Sequence, residues 1–97
     1  MVSKNSLAVR LRSNRKWSFA MKEIIEIIAR ALVDEPEWVS VNEIGGSYIS
    51  ILELTVAKAD VGKIIGKQGR TASALRTIVN AVSAKEKKRT LLEIVDK

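Results

Sequence analysis

The sequence predicts an α+β domain in which three strands form one sheet and helices pack on one face of it, in the order αββααβ. Three observations carry that expectation. Apolar residues recur at three- and four-residue steps in two stretches, from Met21 to Leu32 and from Ala72 to Val82. They alternate with polar residues in three others, around Val39–Val41, Tyr48–Ala57 and Thr90–Val95. A short connection with glycines at 66 and 69 joins two helical stretches. A chain of 97 residues, 46% of them apolar, has enough material for one small core, and no apolar run approaches the ~20 residues of a membrane-spanning helix.

The elements follow in order. Residues 1–20 are read as a basic N-terminal arm and residues 21–97 as the folded domain. The acid-free, Arg- and Ser-containing arm fits a flexible segment, an organelle transit segment or an upstream start. Met21, Ile24, Ile25, Ile28, Ala31 and Leu32 form the apolar stripe of the first helix, with Lys22, Glu23, Glu26 and Arg30 opposite and Glu26–Arg30 as an i,i+4 pair. That helix stops before Pro36. Val39 and Val41 make a short strand, and Ile44-Gly45-Gly46-Ser47 a tight hairpin turn. The second strand, Tyr48–Ala57, turns Leu52, Leu54 and Val56 to one face and Glu53 and Thr55 to the other. Asp60–Ile65 is a short helix, with Asp60 at its positive end. Ala72, Leu75, Ile78, Val79 and Val82 trace the third helix, which fades at Lys85–Arg89. Thr90–Val95 closes the sheet with Leu92 and Ile94 inward.

Composition excludes much chemistry. The chain has no Cys and no His, so disulfides, Cys/His zinc sites, haem ligation, Cys nucleophiles and an imidazole base are absent. Carboxylates such as Glu35 and Glu37 lie in an acidic turn without the apolar surroundings of a catalytic carboxylate. The reading is a binding domain, not an enzyme, with no cofactor implied. The net charge of +6 is located in residues 1–22, where Lys4, Arg10, Arg12, Arg15, Lys16 and Lys22 meet no acid. In the body the signs balance but segregate. Asp34, Glu35, Glu37, Glu43, Glu53 and Asp60 face Lys58 alone, and then eight bases from Lys63 to Arg89 face Glu86 alone. A neutral domain with one basic stretch points to a directed polyanion site, although a solvated lysine-rich face has the same composition.

The stretch that carries chemistry is Val61-Gly62-Lys63-Ile64-Ile65-Gly66-Lys67-Gln68-Gly69-Arg70. Gly66 and Gly69 lack a Cβ, so a sugar-phosphate backbone can come close to the main chain. The connection leads into a helix whose first amides are free donors at a positive dipole end. Lys67 supplies a cation at the tip and Gln68 a neutral hydrogen-bonding group, while Lys63, Arg70 and Arg76 flank them. Ile64, Ile65, Ala72 and Leu75 are candidates for the wall of a groove that accepts unstacked bases; core packing is the competing reading for Ile64, Leu75 and Ile78, and is favoured for Ile78 and for one of Ile64 and Ile65. Two glycines three positions apart also mark plain turns, but the flanking helices make the pair specific. It is not a triphosphate loop, since Gly62 and Gly66 are separated by three residues and not four, and Gln68 stands where Ser or Thr would hold magnesium. Lys63 and Lys67 exclude a membrane-helix contact at the Gly62–Gly66 spacing.

Helix, Gly-x-x-Gly and helix together resemble the KH RNA-binding module. From Met21 to Asp96 the chain is similar to the small bacterial single-KH-domain RNA-binding proteins of the KhpA (YlqC) type. The resemblance rests on Leu32-Val33-Asp34, Gly62–Arg70, Ala74-Leu75-Arg76-Thr77 and Leu92-Glu93-Ile94. It implies a type II KH fold, with Lys85–Arg89 as the variable loop. It also implies a cytoplasmic single-stranded RNA binder of broad specificity, an RNA chaperone or post-transcriptional regulator. Such proteins act as homodimers or with a larger KH-containing partner, a partnership tied to cell elongation and division. The chain departs from the pattern at Ala72, where KH domains usually carry a bulky aliphatic residue, and in its arm, which extends beyond the usual start near Met21. A second functional class is an interaction module whose exposed apolar edges, such as Ile49 and Ile51, mate with another KH protein.

Overall fold

The computed structural model describes residues 20–46, 48–85 and 87–97, and in them the order αββααβ is present. Helix α1 covers residues 20–32 and ends as expected ahead of Pro36; the Val33 N–H still reaches the Ala29 carbonyl at 3.2 Å. A single 3-10 turn, Pro36–Trp38, leads into strand β1, Ser40–Gly45. Strand β2, Ile49–Val56, returns antiparallel to it. A second 3-10 turn, Lys58–Asp60, precedes helix α2, Val61–Ile65, and a third, Lys67–Gly69, precedes helix α3, Arg70–Lys85. Strand β3, Arg89–Asp96, then pairs parallel to β2, which is therefore the central strand of the sheet. The arm expected over residues 1–20, with Trp17 and Phe19, lies outside the described residues except for residue 20, which is already helical.

One core joins the layers. Met21, Ile25 and Ala29, four residues apart on α1, pack with Val41, with Leu52, Leu54 and Val56 of β2, with Leu92, and with Ile64, Leu75 and Val79 of α2 and α3. The β2 alternation is as expected, each inward side chain contributing roughly 1.5–3 kcal/mol by leaving water.

The helical stripes are narrower than the sequence suggests. Ile24 and Leu32 are about two-fifths exposed, and Ile78 is 37% exposed, which corrects its expected place in the core. The reason is geometric: two helices side by side on three strands each bury about one row of side chains. Ile49 is exposed too, but on a strand paired on both sides, so it and Ile51 offer a face and not an edge. At the hairpin Gly45 has φ +141°, and a Cβ there would sit 2.5 Å from the Ile49 carbonyl oxygen. The Gly46 N–H closes the turn onto that same carbonyl at 2.9 Å.

Candidate nucleic-acid interface

The loop after α2 is a wound turn whose glycines have different physical reasons. Gly66 ends α2 at φ +78°, its N–H donating to Gly62 at 2.9 Å. A Cβ at Gly66 would collide with the side chain and amide nitrogen of Thr71 in the first turn of α3, so this glycine packs the loop against the helix it leads into. Gly69, at φ +73°, donates to the Gly66 carbonyl at 3.1 Å, and nothing lies within 4 Å of where its Cβ would be. Its surface is open. Between them Gln68 is itself left-handed at φ 56°, which an L side chain tolerates less readily than glycine.

The side chains named from the sequence separate into two sets. Lys67 and Gln68 in the turn, Arg70 at the start of α3 and Arg76 further along it are exposed, and among the described residues Lys67, Arg70 and Arg76 have no acidic partner. Ile65 is exposed to 40% at the end of α2. Ile64, Ala72 and Leu75 are buried, so they floor the loop from inside and present no wall to solvent; of the apolar four, Ile65 alone does.

Lys63 stands apart. Its Nζ lies 3.1 Å from Asp34 Oδ2 and 3.9 Å from Asp60 Oδ1, turned toward the end of α1. The Lys85–Arg89 turn is likewise less free than its composition: Lys88 pairs with Glu43 at 3.4 Å and Lys85 is also engaged.

Asp60 and Asp34 are the residues that local reading missed. Asp60 is 1% exposed and makes no side-chain cap on α2. Its two oxygens accept the backbone N–H groups of Asp34 at 3.2 Å and Glu35 at 3.1 Å. That ties the turn after α1 to the start of the helix that carries the loop. A carboxylate separated by 25 or 26 residues from its donors leaves no trace in local periodicity; an acid directly before an apolar helix was the available signal, and it fits a dipole role equally well.

The arrangement is an open, positively charged backbone turn at the N-terminal end of a 16-residue helix, closed by internal backbone hydrogen bonds. It suits a multiply charged anion approaching the main chain. Comparison with known proteins agrees with the geometry. The family profile described as KhpA/KhpB, KH domain, matches residues 22–94. The chain is 56% identical over 75 residues to the RNA-binding protein KhpA of Clostridium perfringens, covering 77% of this chain and all of that protein. It is 49% identical over 77 residues to the KhpA of Aquifex aeolicus, covering 79% of this chain and 98% of that protein, and 47% identical over 76 residues to the KhpA of Chlamydia trachomatis, covering 78% and 97%. No solved structure gives a significant match. A Gly-x-x-Gly turn between two helices, the order αββααβ and these relatives together place the chain in the KhpA/KhpB KH-domain family.

Proposed function

We propose that the protein binds single-stranded RNA with broad sequence tolerance, clamping the sugar-phosphate backbone on the Gly66–Gly69 turn, and acts as an RNA chaperone or post-transcriptional regulator. The observation that carries this reading is the uncovered backbone at Gly69, with Lys67 and Arg70 adjoining it, Arg76 further along α3, and no acid among the described residues to neutralise them. Each cation answers a phosphate, the positive end of α3 adds to them, and Ile65 offers apolar contact to a base. The RNA-binding function of the KhpA relatives supports the same reading. The test is the double substitution Lys67→Asp with Gln68→Asp. RNA binding is lost while the melting transition stays near wild type, because both side chains are exposed at a loop tip. Wild-type affinity in that variant contradicts the clamp.

A second reading, assembly with another copy or a larger KH-domain partner, is favoured by one observation. Ile44, Ile51 and Leu91 are paired across the three strands on the face away from the helices, with Ile49 and Tyr48 exposed beside them. Sedimentation of Ile44→Ser with Leu91→Ser tests it: a wild-type dimer that becomes a monomer supports it, and an unchanged state contradicts it.

A further inference from the structure

At the other end of α2 from the Gly66–Gly69 turn lies a groove of about 280 Å³ lined by Glu35, Trp38, Ala57, Lys58, Ala59 and Lys97. Trp38 ends the 3-10 turn after Pro36 and is 42% exposed, a large aromatic left half in solvent. The small residues Ala57 and Ala59 line the groove beside it. The Lys97 backbone N–H donates to the Val56 carbonyl at 2.9 Å, and its Nζ stands 5.5 Å from the ring centroid, within cation–π range. Lys58 is exposed on the groove.

We infer that this groove is a second RNA subsite, in which one unpaired base stacks on Trp38. The inference rests on the reading of the Gly66–Gly69 turn as an RNA clamp. Five features carry it. An aromatic ring flanked by cations is how single-stranded nucleic acid is held without sequence preference. The groove falls just below the ~300–1,000 Å³ range of small-molecule pockets, suited to one planar group. Lys58 and Lys97 answer the phosphate of the stacked nucleotide, Lys97 leaving the ring as the base takes its place. Glu35 disfavours an acidic peptide there, whereas a carboxylate accepts a hydrogen bond from a base's exocyclic amino group. The groove is also close to the clamp along the chain, since Lys58–Asp60 lead directly into α2 and five helical residues span only about 7.5 Å. A single strand longer than the roughly four nucleotides held by the clamp reaches both.

The test is binding of labelled single-stranded RNA of about four and about ten nucleotides to the full chain. Trp38→Ala weakens the longer strand roughly tenfold, within the range of about 5- to 150-fold for loss of one stacked base, and leaves the shorter one unchanged. Trp38→Phe keeps most of the affinity. Lys58→Glu, an exposed change that does not threaten folding, weakens the longer strand severalfold. Melting curves confirm that each variant is folded. Wild-type affinity of Trp38→Ala and Lys58→Glu for the longer strand overturns the subsite, as does equal loss for both lengths. Trp38-dependent binding of an acidic peptide with RNA affinity unchanged assigns the groove to a protein partner and overturns it too. If the Lys67→Asp, Gln68→Asp variant keeps the shorter strand, the clamp itself has failed, and the two failures are distinct.

Discussion

The buried carboxylate of Asp60 accepts the backbone N–H of Glu35 at 3.1 Å, so the turn that ends α1 and the helix that presents the Gly66–Gly69 loop are fastened to each other. The second oxygen takes the N–H of Asp34 at 3.2 Å, and Lys63 closes the cluster from outside. Hydrogen bonds to charged groups contribute more than neutral ones, and two donors depend on this single side chain.

Asp60→Ala is therefore expected to destabilise the fold by about 2–4 kcal/mol, from two charge-assisted bonds and the N–H groups left without a partner. Asp60→Asn keeps one acceptor but turns an amide toward the other N–H, and loses about 1–2 kcal/mol. Urea denaturation of the two variants checks this. A loss under about 0.5 kcal/mol in Asp60→Ala would mean the bonds do not hold the turn.

The loop glycines separate packing from access. Gly66→Ala combines a left-handed backbone with a collision against Thr71 and loses at least ~2 kcal/mol. Gly69→Ala meets no neighbour, so it loses only about 1–2 kcal/mol of backbone strain, yet places a methyl group where a phosphate backbone would approach. RNA affinity measured well below the melting point should fall in Gly69→Ala beyond what its stability loss explains. Equal effects on stability in the two variants would contradict the geometry.

The sheet was legible in the sequence because period-two alternation is local: Leu52, Leu54 and Val56 face the core as the pattern requires. The helices were legible in place but not in width. Periodicity says that Ile24, Ile25, Ile28 and Leu32 lie near one side of α1; it does not say how much of that side a three-stranded sheet and a neighbouring helix can cover. Lys63 illustrates the same limit at the site. Its position next to the loop made it a phosphate ligand by proximity in sequence, while its side chain points at Asp34, a residue brought near only by the fold. Trp38 was hidden for another reason, since an aromatic in a Pro- and Glu-containing connector joins no periodic stripe.

Two isoleucines on α1 test the width of its stripe. Ile25→Ala, fully buried, is expected to lose about 2–5 kcal/mol. Ile27→Ala, at 65% exposure, changes stability by less than about 0.5 kcal/mol. Thermal melts of both variants decide it, and comparable losses would place Ile27 against a surface that the described residues do not contain.

Asp34 holds Lys63 at 3.1 Å with both side chains substantially exposed, a pair that contributes about 0–1 kcal/mol. Asp34→Asn is expected to leave the melt almost unchanged and to tighten RNA binding about twofold to fivefold, because a competing carboxylate is removed and Lys63 is released toward phosphate. Isothermal titration at low salt would register the gain; weaker binding would mean that the Lys63–Asp34 pair positions the loop.

The salt dependence of RNA binding tests the clamp most directly. Lys67, Arg70 and Arg76 are three cations without acidic partners among the described residues. At about −0.7 per phosphate neutralised on a single strand, they give a slope of log affinity against log salt near −2, and a rise from about 50 to about 200 mM salt weakens binding roughly 20-fold. An unstructured RNA of about four nucleotides, titrated at several salt concentrations, isolates the clamp. The account predicts a slope near −2 for the wild type, shallower by about 0.7 in Lys67→Ala. A slope near zero, or one that Lys67→Ala leaves untouched, would contradict it.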